Sequence, residues 1–410
     1  MQDVISEEVQ KEFDRQWEVL SSNIVEITPT DEFKKMLLHS IKEGKPLRVK
    51  CGIDPTNPDI HLGHLVPYKK MRQFQDLGHV GVVVIGDYTA QIGDPTGKNE
   101  SRQSLGAEET LKNAQSYMDQ VYTVLNKEKT EVCYQSSWFK EVSLQDLLKW
   151  ASETTVAKLL SHDTFKNRLD ENNSLSLHEL FYPVLQGMDS VFIKADVELG
   201  GSDQKFNVLM GRDYQRHRSM RPQIAMLLPL IMGTDGAQKM SKSLGNYIGI
   251  NDEPFDQFGK VMSIPDELMI DYTKYVSGFN FEDKKNFIEK LKKNEIHPNE
   301  AKKQLASNIV GFFHGENTGL EMREQFEKVF AKKKVPDDLP EFEIKETISL
   351  IDLLREAKLC ASNGEARRML KQNAVSIIDE GKIQDESLSF SLDDKGKVIK
   401  VGKRRFVKLV

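Results

Sequence analysis

The sequence predicts an α/β fold: a doubly wound parallel sheet, then an α-helical domain and a small α+β module. Three observations carry this. Strand-like and helix-like patterns alternate from Leu47 to Ile231, the order that βαβ units produce. Two of the strand patterns, VGVVVIGD (80–87) and IAMLLPLI (224–231), are continuous apolar runs, as expected of strands covered on both faces. At 410 residues the chain is long enough for two or three domains and a large core.

Taken in order, residues 5–45 read as helical, with Phe13, Trp17 and Leu20 at helical spacing and Thr30-Asp31 as a candidate N-cap. LRVKCGID (47–54) reads as a strand, punctuated by Pro55-Thr56-Asn57-Pro58, and a helix starts near His61 and runs to Gly78. After the strand at 80–87 come a Gly-rich loop, a helix over 107–126 and a strand at 130–135. Helical patterns at 143–161 and 176–192 lead to ADVELGG (195–201), another helix, and the apolar run at 224–231. Residues 252–330 show helical periodicity alone. KKKVPDDLPEFEIKE (332–346) is charged, holds two prolines and reads as a linker; 347–410 holds two short helices and then β-like pieces. The expected division is therefore 1–250, 251–331, a linker at 332–346, and 347–410.

Composition narrows the class. With 39% hydrophobic and 29% charged residues the balance is that of a globular chain. No uncharged apolar run approaches the ~18 residues needed to span a bilayer, so membrane integration is excluded. The acidic, polar start (MQDVISEEVQKEFDRQWEVL) is unlike a secretory signal. Cys51, Cys133 and Cys360 lie far apart, which excludes a disulfide scaffold and argues against a cysteine-rich zinc site. The cytoplasm is the expected compartment. Net charge is −6, yet residues 341–410 hold 14 Lys/Arg against 12 Asp/Glu. An anionic partner is expected to meet this basic tail.

Two motifs carry chemistry. Asp54-Pro-Thr56-Asn-Pro-Asp-Ile-His61-Leu-Gly63-His64 sits where a strand hands over to a helix, a place that collects unpaired N–H donors and suits phosphate. Gly63 lets a nucleotide approach the backbone, and His61 and His64 can donate to phosphate or ribose oxygens. Two histidines in a loop can equally be structural. Lys239-Met240-Ser241-Lys242-Ser243, then Leu-Gly245-Asn246, follows the 224–231 strand and could be a solvated charge pair. Together, in this order and local setting, the two resemble the paired signature of class I aminoacyl-tRNA synthetases.

A third constellation resembles the tyrosyl-tRNA synthetase family within that class. Tyr182-Pro-Val-Leu-Gln186-Gly-Met-Asp189 places three polar groups at i, i+4 and i+7 on one helix face, and Leu-Gly200-Gly201-Ser202-Asp203-Gln204 follows. The apolar neighbours imply a buried face, where polar groups need partners that a substrate can supply. The loop from Gly86 through Asp94, Gly97 and Lys98 to Arg102 also looks like the family's; it is not a P-loop, since Asn99 follows the lysine. The tail resembles an S4-type RNA-binding module, through Arg367, Arg368 and Lys371 on one helix and Lys403, Arg404 and Arg405 by the last strand. A solvated basic surface is the alternative there.

What the resemblance implies is a Rossmann-like catalytic core that joins L-tyrosine to ATP, releases pyrophosphate, and passes the tyrosyl group to tRNA(Tyr). Thr56, His61, Lys239 and Lys242 would stabilise the departing pyrophosphate, helped by Lys98 and Arg102, and His64 would complete the catalytic set from the nucleotide side. Gly63, His64, Gly201, Asp203 and Lys242 would bind ATP. Asp94, Tyr182 and Gln186 would hold the tyrosine ammonium, Asp189 would accept from the phenol, and Gln204 would sit near the carboxyl. Mg2+ would come with ATP, with no dedicated protein metal site, and the family is homodimeric. One departure stands out: many bacterial members have a phenol-contacting tyrosine before the Cys-Gly, and this sequence has Lys50, like a second bacterial branch. The second phenol contact is therefore open. Tryptophanyl-tRNA synthetases share the fold but not the Tyr/Gln/Asp helix face. A cytidylyltransferase would share the His-x-Gly-His motif but needs no KMSKS loop or RNA-binding tail, and an RNA-binding regulator derived from a synthetase would show eroded motifs.

Overall fold

The computed structural model describes residues 5–56, 59–96, 107–332, 339–378, 380–383, 385–402 and 405–410. The chain divides into two compact units, Met1–Arg323 and Glu324–Val410. The first is built on a six-stranded sheet: β1 (Glu26–Thr28), β2 (Arg48–Ile53), β3 (Val80–Ile85), β4 (Thr130–Tyr134), β5 (Val197–Gly201) and β6 (Ile224–Leu228), in the order β1-β6-β5-β2-β3-β4. Five of them run parallel, and β1 closes one edge antiparallel to β6. Val82 to Ile85 of β3 and all of β6 are buried, the doubly covered environment that their β-branched and apolar runs require. β1 interrupts the stretch read as helical: three residues are too few to show a period, and β6 supplies its hydrogen bonds.

Helix ends follow local chemistry. The Glu7–Ser21 helix is capped by Ser6, whose hydroxyl accepts from the Val9 N–H. The Thr30–Glu43 helix is not capped by Thr30 or Asp31 as the sequence suggested. Pro29 occupies the cap without a side-chain bond, the Thr30 hydroxyl donates to the Ile27 carbonyl, and Asp31 and Glu32 lie in the first turn, where the helix dipole favours them. The Leu65–Asp76 helix packs on the sheet through buried Leu65, Val66, Met71 and Phe74. The Tyr182–Phe192 and Lys205–His217 helices lie against one another, and the Tyr214 hydroxyl donates to the Trp150 carbonyl at 2.9 Å.

Beyond the sheet come the helices Pro254–Ser263, Met269–Tyr275, Phe281–Lys292, Pro298–His314 and Glu316–Lys332. Phe258, Val261, Tyr272, Leu305 and Ile309 form their buried side. In the second unit, Leu350–Glu356 and Asn363–Lys371 accompany a five-stranded sheet whose central strands are Val375–Ile377, Val398–Val401 and Arg405–Leu409. Glu341–Phe342, inside the stretch of low periodicity, pairs parallel with Arg405–Leu409 at its edge. Leu350, Leu353, Leu354, Ala366, Val375, Ile399 and Val407 make the core.

The strand order positions the site. From β2 the chain winds through β3 to β4, and β5 and β6 lie on the other side of β2, so adjacent β2 and β5 open a crevice at their carboxyl ends. Gly86, just past β3, shows how tightly the rim is built. A Cβ there would fall 2.1 Å from Asp54 Oδ1 and 2.3 Å from Thr89 Oγ1. Gly86→Ala should therefore cost about 1–3 kcal/mol through overpacking. Thermal unfolding checks this: a lowered Tm is expected, and a Tm equal to wild type would mean that Asp54 is not held there.

Candidate active site

A cavity of about 760 Å³ occupies this crevice. Thr56, His61, Gly63, His64, Asp94, Tyr182, Gln186, Asp189, Gly201, Asp203, Gln204, Lys239 and Lys242 all line it. Lys98 and Arg102 lie outside the described residues. Residues far apart in sequence thus meet because strands β2 to β6 end at one edge.

One end is made by the Tyr182–Phe192 helix. Asp189 is 2% exposed, and its two oxygens accept from Gln135 Nε2 at 2.8 Å and Trp138 Nε1 at 3.3 Å. Burial pushes its carboxyl up to about 7, against the opposing pull of Lys50 and Gln135. Gln135 is itself fixed, since its Oε1 accepts from the Tyr88 and Thr89 backbone N–H groups. Seven residues of helix put Tyr182 about 10 Å from Asp189 along the axis. The Tyr182 hydroxyl donates to Asp54 Oδ2 at 2.9 Å, and Asp54 Oδ1 accepts from Thr89 at 2.7 Å. Gln204 Nε2 donates to Asp94 Oδ2 at 2.8 Å, while Asp94 Oδ1 accepts from the Thr96 N–H. Acceptors therefore dominate around Tyr182, a setting that suits a cation, while a buried carboxylate waits at Asp189.

The opposite end suits an anion. His61 and His64 stack with ring centroids 3.7 Å apart, and the His61 backbone N–H donates to His64 Nδ1 at 3.3 Å. Burial, with nearby Lys242, drives the His61 imidazole down to about 2 and the His64 imidazole down to about 4. Both rings are neutral at pH 7, so each has one ring N–H to offer and carries no positive charge. A Cβ on Gly63 would approach the His61 ring at 3.1 Å, and one on Gly201 would meet Asp203 Oδ1 at 2.7 Å. Lys239 pairs with Asp203 at 2.9 Å, and Lys242 lies 3.8 Å from Asp59. Asn246 shapes the loop that carries them: its Oδ1 accepts from the Ser241 N–H, and its Nδ2 donates to Asp235 at 2.9 Å and to the Lys239 carbonyl at 3.2 Å. Cys51 also lines the cavity, but burial pushes its thiol up to about 12, so it is no nucleophile.

The sequence reading missed Gln135, Trp138 and Glu198, and it gave no site role to Thr89 or to Asn246, although Asn246 lay in the quoted lysine motif. Gln135 had a signal: a polar residue directly after a parallel strand. Glu198 had another, a carboxylate inside an apolar strand. Lys50 turns away from the cavity: its ammonium contacts Glu198 at 2.9 Å, the Ser190 hydroxyl at 2.8 Å and the Gln186 carbonyl at 2.9 Å.

In the second unit, Arg367, Arg368 and Lys371 are exposed along the Asn363–Lys371 helix. Arg367 pairs with Glu386 at 2.5 Å, and Arg405 pairs with Glu365 at 2.9 Å. Lys403 and Arg404 lie outside the described residues. No helix among the described residues is long and apolar enough to cross a membrane. Nor is there among them a group of three or more His, Cys, Asp or Glu side chains that could hold a metal ion.

Known proteins resemble the chain over its whole length. Residues 42–331 match the family described as class I tRNA synthetases (W and Y). Residues 331–409 match the tyrosine–tRNA ligase SYY-like C-terminal domain. The tyrosine–tRNA ligase of Moorella thermoacetica is 45% identical over 402 residues, covering 98% of this chain and 97% of its own length. That of Desulfotalea psychrophila is 46% identical over 400 residues, covering 97% and 98%. The crystal structure of a C-terminally truncated mitochondrial tyrosyl-tRNA synthetase from Aspergillus nidulans shares the fold, with a TM-score of 0.63 at 19% identity over 80% of this chain and all of that one.

Proposed function

The chain belongs to the class I tyrosyl-tRNA synthetase family, and from that premise we propose how its cavity carries out the reaction. A tyrosine–tRNA ligase joins L-tyrosine to ATP as tyrosyl-adenylate, releasing pyrophosphate, and then transfers the tyrosyl group to tRNA(Tyr). The tyrosine carboxylate attacks the α-phosphorus, the bond to the bridging oxygen breaks, and pyrophosphate leaves with the electron pair. The nucleophile is already ionised at pH 7, so no general base is required. The protein's work is placement and neutralisation of developing charge.

Asp94, the Tyr182 oxygen and Gln186 receive the tyrosine ammonium, and Asp189 accepts from the phenol. Gln204 lies by the carboxyl. Gly201 and Asp203 take the ribose, and Gly63 and His64 the nucleotide. Thr56, His61, Lys239 and Lys242 meet the departing pyrophosphate, with Lys98 and Arg102 as helpers. The main support is the cavity itself, which has a buried carboxylate at one end and lysines with neutral imidazoles at the other. Mg2+ enters with ATP. When bound, the ion would be held mainly by phosphate and water oxygens and would offset charge on the phosphates.

Residues 251–331 form the anticodon-side domain, and residues 347–410 bind tRNA through Arg367, Arg368, Lys371, Lys403, Arg404 and Arg405. The enzyme works in the cytoplasm as a homodimer. A dimer is favoured by the Leu144–Ser152 helix, which turns Trp150 inward but leaves Leu144 and Leu148 71% and 61% exposed.

Tyrosine-dependent pyrophosphate–ATP exchange, run with each of the twenty amino acids, tests the reading; exchange with another amino acid but not tyrosine would refute it. Asp189→Ala should collapse the preference for tyrosine over phenylalanine, because a buried acceptor left unpaired is what rejects the analogue. Tyrosyl-tRNA synthetases themselves show this preference at about 10⁵-fold. Retained discrimination would place the phenol elsewhere. For Lys242→Ala, pre-steady-state adenylate formation should slow by about 2–4 kcal/mol in the barrier with little change in tyrosine affinity; an unchanged rate would take the loop out of catalysis. Removing residues 339–410 should spare exchange, weaken tRNA charging, and flatten the salt dependence of tRNA binding. Equal charging by both forms would exclude the tail from RNA binding.

A further inference from the structure

Lys50 stands where many bacterial family members have a phenol-contacting tyrosine, and its surroundings point to the other end of the substrate. Lys50 on β2 and Glu198 on β5 are register partners in adjacent parallel strands, so both side chains leave the same face of the sheet toward the Tyr182–Phe192 helix. They are 0% and 1% exposed and 2.9 Å apart. The Lys50 ammonium has three protons, and three acceptors surround it: Glu198, the Ser190 hydroxyl and the Gln186 carbonyl. It has no donor to spare for a substrate, and it does not line the cavity. Glu198 does line it, and its carboxylate is used in full. Oε1 takes Lys50 and accepts from Gln186 Nε2 at 3.1 Å; Oε2 accepts from the Ser190 hydroxyl at 3.0 Å and from Gln223 Nε2.

Gln186 is thereby held at two points, its backbone carbonyl by Lys50 and its side-chain amide by Glu198. An amide can face a cavity with either its donor or its acceptor end. A carboxylate that receives the NH₂ settles the choice, and the carbonyl end becomes the one available to a cation. We propose that Lys50 and Glu198 are positioning residues that fix Gln186 as an acceptor for the substrate ammonium, and that Lys50 takes no part in reading the phenol. The charge balance explains why both are needed. Glu198 alone would be a second buried carboxylate close to Asp189, and Lys50 alone an uncompensated buried cation. The inference rests on the tyrosine placement given above, with Gln186 at the ammonium end.

The test uses competitive inhibition of tyrosine-dependent exchange by two probes on the full chain. Tyramine carries phenol and ammonium; 4-ethylphenol carries the phenol without the ammonium. If the wild-type enzyme fails to prefer tyramine, the placement of the ammonium is wrong, and that failure is visible before any variant is made. With the placement intact, Lys50→Met and Glu198→Gln should each weaken tyramine about tenfold or more, the scale of one hydrogen bond to a charged group. Inhibition by 4-ethylphenol should stay within about twofold on the same scale, and the tyrosine-to-phenylalanine ratio should hold. A Lys50→Met protein that does not fold is replaced by the neutral double variant Lys50→Met/Glu198→Gln, read the same way. Equal losses for both probes, or an unchanged tyramine preference in every folded variant, would reduce the pair to a structural role and overturn the proposal. A collapsed tyrosine-to-phenylalanine ratio in Lys50→Met would put Lys50 on the phenol and overturn it equally.

Discussion

Everything at the site depends on β2 and β5 being neighbours while their onward connections lead to opposite sides of the sheet. A parallel sheet cannot fill the gap above such a pair, because each crossover carries its chain away from it. The chain therefore delivers its chemistry there from strand ends: Asp54 after β2, Gly86 after β3, Gln135 after β4, Asp203 after β5. The lysine loop follows β6. The Tyr182–Phe192 helix then lies over the crevice and closes one end with Asp189.

Charge is distributed along this crevice by burial as much as by residue type. Asp189 and Glu198 are both carboxylates within the same buried region, yet their partners differ. Glu198 is spent on Lys50, Gln186, Ser190 and Gln223, while Asp189 is held by two neutral donors and pushed up by burial. One is saturated by charged and polar protein partners, and the other accepts from a side-chain amide and an indole N–H alone. At the opposite end the histidines are stripped of charge by the same burial, so lysines supply the positive field. Lys239 and Lys242 rest beside Asp203 and Asp59 in pairs exposed enough to be worth about 0–1 kcal/mol each, which restrains them without locking them.

The second unit obeys different economics. Its sheet strands are short, and its core is aliphatic and continuous from Leu350 to Leu409. Its basic side chains are partly answered within the unit, by Glu386 for Arg367 and Glu365 for Arg405, while Arg368 and Lys371 remain exposed on the same helix. A surface of this kind would meet an anionic polymer through several modest, salt-dependent contacts.

The sequence alone was enough for the alternation of strands and helices, the buried character of β3 and β6, and the polar face of Tyr182, Gln186 and Asp189. These are local patterns with a period or a motif to carry them. A family resemblance grouped His61, His64, Lys239 and Lys242, and all four line one cavity. The three-residue β1 and the uncapped start of the Thr30–Glu43 helix escaped it, since one depends on a partner strand and the other on the turn before it. Lys50 and Glu198 show the deeper limit. Each is a charge in an apolar strand, 148 positions apart in the chain, and nothing local says that they pair. Their meeting is fixed by the register of β2 against β5, a non-local property that decides whether Lys50 faces the substrate or holds the residue that does.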